Sequence, residues 1–86
     1  MKRIIEIESD GIDSFNNFKE ETNGELVKAI GYLSTWNMSA YSHVKIYHDV
    51  KEKELIARYS LGGDHIVGYV IGAIWHDKEK RFSFHS

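Results

Sequence analysis

The sequence has no cysteine and no proline. Without cysteine there is no disulfide framework and no thiolate to serve as nucleophile or metal ligand. Without proline the turns rely on Gly, Asn and Asp, which tolerate or locally satisfy tight backbone conformations. A dominant charge is lacking too: eleven Lys and Arg stand against thirteen Asp and Glu, a net of −2. That balance argues against a nucleic-acid partner and equally against an acidic mimic of DNA. No apolar run reaches the ~18–20 residues of a membrane-spanning helix. Glu6 and Glu8 interrupt the apolar stretch near the start, which removes the expectation of a secretory leader. The expected setting is the cytoplasm, with no membrane partner.

Chemical motifs are equally scarce. There is no His-x-His or His-Glu-x-x-His spacing, no nucleophile elbow and no phosphate-binding glycine loop. Five histidines occur in the chain, but their spacing does not bring three or four donors to one point, as zinc requires. The doublets His48-Asp49 and His76-Asp77 are not catalytic dyads, because neighbours on a strand point to opposite faces. No enzyme activity, no metal and no cofactor are therefore expected.

What is present is one organising run. Residues 65–75 read His-Ile-Val-Gly-Tyr-Val-Ile-Gly-Ala-Ile-Trp, without a formal charge. Both a strand and a helix would give this run an apolar face. Five β-branched residues favour the strand, and two internal glycines would each cost a helix about 1 kcal/mol. Read as a strand, it turns Val67, Tyr69, Ile71, Ala73 and Trp75 one way, and Ile66, Gly68, Val70, Gly72 and Ile74 the other.

The rest of the chain arranges itself around that strand. Residues 3–8 read as a short strand with Ile5 and Ile7 on one face. Asp13 or Ser14 would cap a helix with Phe15, Phe18 and Thr22 on its inner stripe. Asn23-Gly24 breaks it. A second helical segment, from about Glu25 to 37–39, carries Leu26, Ala29, Ile30, Leu33 and Trp36 or Asn37. Residues 42–48, 54–60 and 81–85 alternate as strands between polar turns. A meander pairing Ile46 with Leu55, Leu55 with Ile71 and Trp75 with Phe82 puts every apolar face on one side. Trp75 would then lie between Phe82 and the helices, with Trp36 near it or close by in sequence-adjacent packing. The expected fold is α+β: a single domain over residues 1–86, in order β-α(α)-β-β-β-β, with a helical layer (one broken helix or two short ones) on a mostly antiparallel sheet.

Two surfaces could carry function. The second face of the sheet gathers Tyr47, Ile56, Ile66, Val70 and Ile74 with Arg58 at its edge, and nothing obvious covers it. Exposed apolar patches of this kind mark association sites, and the glycines between would let a ring or backbone approach closely. The alternative is the pair of charged turns, where His48, Lys51, Lys53, His76, Lys78 and Arg81 could rim a site for a small anionic ligand such as a nucleotide. Acidic residues between those lysines weaken that field. Size and lack of motifs are those of small inhibitors, adaptors and sequestering proteins of phages or mobile elements. The leading expectation is such a binding module, acting on itself as a homodimer or on another protein.

Overall fold

The computed structural model describes residues 3–36, 40–62 and 66–86. The elements are β1 (Ile4–Ser9), α1 (Ile12–Glu21), α2 (Glu25–Thr35), β2 (His43–Asp49), β3 (Glu54–Ser60), β4 (Tyr69–His76) and β5 (Arg81–His85). The expected end of the second helix at 37–39 and the start of the central run at His65 lie outside the described residues.

The strands form one sheet in the order β1-β2-β3-β4-β5. β1, whose place the sequence left open, pairs parallel to β2. The other three pairings are antiparallel. A parallel pair needs a long crossover, and here α1 and α2 supply it. The two helices pack on one face of the sheet, giving the expected two layers.

Each helix buries the stripe that its spacing predicts. Phe18, Thr22, Leu26, Ala29 and Leu33 are buried, and Phe15, Ile30 and Trp36 pack against them at the margin. α1 begins earlier than the sequence suggested. Gly11 occupies its N-cap with no side-chain hydrogen bond, and Asp13 sits in the first turn, where its charge favours the helix dipole. The helices part at Asn23 (φ 50) and Gly24 (φ 90), both left-handed. Thr22 ties the break together: its hydroxyl donates to the Lys19 carbonyl (3.1 Å) and accepts from the Leu26 N–H (3.2 Å).

The expected inner face is present, with three corrections. The registers of β2–β3 and β3–β4 are offset by two residues, with Ile46 opposite Ala57 and Leu55 opposite Ala73. A shift of two leaves every side chain on its own face, whereas a shift of one would have reversed them all. The pattern therefore fixed the face and left the turn to set the register. Trp75 does face Phe82. Second, β4 starts at Tyr69, so Ile66 and Val67 precede it and stand 93% and 39% exposed. β3 ends at Ser60, and beyond it the run finds no partner strand.

Third, Trp36 packs at the far end of the sheet. Its ring lies 5.1 Å from Tyr69 and 5.3 Å from Tyr59, and Tyr69 is six residues from Trp75, roughly 20 Å along the strand. The rings near Trp75 are Phe82 at 5.1 Å and Phe18 at 6.4 Å. Tyr59 is fully buried and donates to the Leu33 carbonyl at 2.8 Å. Burial pushes its phenol up to about 12.

Candidate interaction face

Alternation in the strands builds the second face directly. Cross-strand partners line up in rows: Glu6–Lys45–Arg58–Val70, then Glu8–Tyr47–Ile56–Gly72–His85, then Asp49–Glu54–Ile74–Ser83. No helix among the described residues lies over these rows. Val70 is 42% exposed, and Tyr47, Ile56 and Ile74 are half-buried among their neighbours. The sheet thus brings together five of the six residues picked out for association. Ile66 is the exception: it is exposed, but it lies before the strand.

The face is amphipathic rather than purely apolar. β1 contributes Ile4, Glu6 and Glu8, which sequence reasoning missed because the strand's position was open. Lys45 pairs with Glu8 at 3.0 Å. Tyr47 donates to Asp10 at 2.6 Å, and that bond raises its phenol above the ordinary value. Lys45 lies directly opposite Arg58, and like charges so placed repel. With Lys45 engaged by Glu8, Arg58 has no hydrogen bond or ion pair among the described residues. Arg58 also lines two hollows of this face. One, of about 220 Å³, includes Glu6, His43, Lys45, Ser60 and Val67 in its wall. The other, of about 260 Å³, includes Tyr47 and Ile56.

The glycines do not offer the expected close approach. A Cβ on Gly72 would lie 2.7 Å from the His85 ring, and one on Gly68 would run into the ring of Tyr41. Side chains of the chain itself already fill those positions.

The charged turns meet at one end of the sheet, as a meander requires, but they do not form an open cationic rim. Lys53 bridges Glu21 (2.9 Å) and Asp77 (3.2 Å). Trp75 also donates to Asp77, at 2.8 Å. Arg81 pairs with Glu79 at 3.3 Å, and His76 Nε2 meets the Ser83 hydroxyl at 2.7 Å. Lys51 and Lys78 are exposed, without such partners among the described residues.

His48 is the clear departure from the anionic-ligand set. It is fully buried on the inner face, stacked on Phe18 at 4.8 Å and met edge-on by Phe15 at 5.7 Å. Its parity with Val44 and Ile46 was the available signal. Its Nδ1 bonds Ser9 Oγ at 2.9 Å, while Nε2 is buried with no partner among the described residues. Burial lowers its proton affinity below the usual histidine value, against the opposing pull of Asp10 and Asp49.

No group of His, Asp and Glu suited to a metal ion occurs among the described residues. No helix among them is long and apolar enough to cross a membrane. No family model, curated protein or solved structure matches this chain.

Proposed function

We propose that this chain is a non-enzymatic, cytoplasmic binding module whose outer sheet face is its working surface, in the manner of a small inhibitor, adaptor or sequestering protein. The observation that carries the reading is the contrast between a helix-covered face and one left uncovered by the described residues, which keeps Tyr47, Ile56, Val70 and Ile74 around an Arg58 that is unpaired among those residues. Tyr and Arg are the residue types that anchor protein contacts, and a guanidinium held among apolar groups suits a partner carboxylate. A two-fold homodimer through this face is the simplest such contact.

The test is Val70→Glu, which adds an unpaired carboxylate to the contact. Sedimentation should show a smaller assembly for the variant than for the wild type, with unchanged circular dichroism. A variant that associates like the wild type would overturn the reading.

A small anion is the second reading, moved from the turns to the hollow beside Arg58. It is favoured by the Lys45–Arg58 juxtaposition, which an anion would relieve. A melting temperature raised by ATP in the wild type and not in Arg58→Ala would support it.

A further inference from the structure

The two edges of the sheet are complementary to each other. β1 is one edge and β5 the other. Their side chains fall into matching rows. On the outer face β1 carries Glu6 and Glu8, while β5 carries Arg81 and His85. On the helix face β1 exposes Ile5 and Ile7 (45% and 46%), and β5 exposes Phe84 (41%), whose ring rests on Tyr32 at 4.7 Å. α1 reaches β1 and α2 reaches β5, yet Ile5, Ile7 and Phe84 keep close to half of their surface exposed. Neither strand carries a proline, so neither edge is blocked in the way proteins often prevent strand addition.

Strand direction fits as well. β1 runs with β2, and three antiparallel pairings follow, so β1 and β5 run oppositely. A second copy displaced along the sheet would bring its β1 antiparallel to β5 of the first. The backbone agrees. The Ile4 N–H is given to Ser42 on the β2 side (2.9 Å), so the alternate residues Ile5 and Ile7 turn their polar groups to the open edge. On β4 the Trp75 N–H is given to Lys53, on the β3 side (3.0 Å). By the same alternation His76 and Ile74 bond to β5 at Arg81 and Ser83, which leaves Phe82 and Phe84 facing outward.

We infer that this chain assembles head to tail with further copies of itself by pairing β1 of one copy with β5 of the next, Glu8 opposite Arg81. That register uses all of β5. It sets Glu6 opposite Ser83, Ile7 opposite Phe82 and Ile5 opposite Phe84, with the outward-facing backbone groups in apposition. A β1–β1 pairing would instead crowd glutamates together, which like charge opposes. The pairs that Glu8 and Arg81 make within the chain, with Lys45 and Glu79, are more than half exposed, and such surface pairs are weak enough to share or exchange partners. The contact is heterologous, so it yields a ring if the rotation closes and an open array if it does not. It uses the edges and leaves the outer face free, and so stands apart from the function proposed above.

Charge reversal tests it. Sedimentation velocity over a wide concentration range should show wild-type protein growing beyond a dimer. Glu8→Lys and Arg81→Glu should each lose that growth while keeping the wild-type circular dichroism. Mixing the two variants should restore it, because each mismatched edge then meets its complement. Phe84→Pro should also abolish assembly, since it removes an edge-facing N–H and leaves the β4 ladder intact. Val70→Glu should leave edge assembly in place. A wild type that stays monomeric at every concentration, single variants that assemble normally, or a mixture that fails to recover would each overturn the inference.

Discussion

The two faces of the sheet are made by the same strands and differ only in which alternate residue is counted. On the inner face Val44, Ile46, Leu55, Ala57, Tyr59, Ile71, Ala73, Trp75 and Phe82 are no more than 8% exposed. On the outer face Lys45, Arg58 and Val70 stand in solvent, one residue away in the chain. The lesson is that the apolar content of a strand does not say where its function lies. Ile71 and Val70 are chemically alike, yet one is enclosed by the helices and the other is available to a partner. Polar residues are sorted by the same rule. Arg58 is exposed on the outer face, and His48 is enclosed on the inner one.

The largest expected effect lies on the inner face. Trp75→Ala should cost about 3–5 kcal/mol, a large share of the ~5–15 kcal/mol that a whole domain has available. Chemical denaturation would measure it. Near-wild-type stability would mean that the Phe18–Trp75–Phe82 cluster does not hold the layers together.

His48 gives the next effect. Burial lowers its proton affinity on folding, so the unfolded chain takes up a proton more readily than the folded one. Stability should be level above the ordinary value of 6.5 and should fall as the pH drops below it. Melting temperatures from about pH 8 to about pH 5 would record this. His48→Phe, which keeps the ring contacts with Phe15 and Phe18, should flatten the profile. An unchanged acid dependence in that variant would assign the effect to other groups.

The smallest effect belongs to the outer face. Lys45→Ala breaks a pair with Glu8 whose side chains are 51% and 55% exposed, and it should change stability by about 0.2–1 kcal/mol. A larger loss would indicate that the outer row helps to hold β1 in place.

Much of the inner face was legible in the sequence, because burial imposes a two-residue period from Val44 to Phe82 that survives errors in register. The helix break was legible as well, since Asn23 and Gly24 are residue types suited to left-handed backbone. The parallel docking of β1 was not. Six residues with Ile5 and Ile7 on one side fit either edge of a sheet, and nothing in their pattern selects β2. The outer face was therefore seen without its acidic border, Glu6 and Glu8. The start of β4 was misplaced because Ile66 and Val67 look like strand residues, yet strand formation needs a partner and β3 ends before reaching them. His48 looked like part of a charged turn because of its neighbours Asp49 and Lys51, although its parity already placed it with Val44 and Ile46.

The most direct test of this division of labour compares two adjacent residues. Val70→Glu and Ile71→Glu introduce the same charge one position apart in β4. Burying an unpaired carboxylate costs several kcal/mol, so Ile71→Glu should abolish the cooperative thermal transition. Val70→Glu should melt close to the wild type and lose only the contacts made through the outer face. Comparable destabilisation by both substitutions, or unfolding by Val70→Glu, would contradict the assignment of the outer face as the surface free to bind.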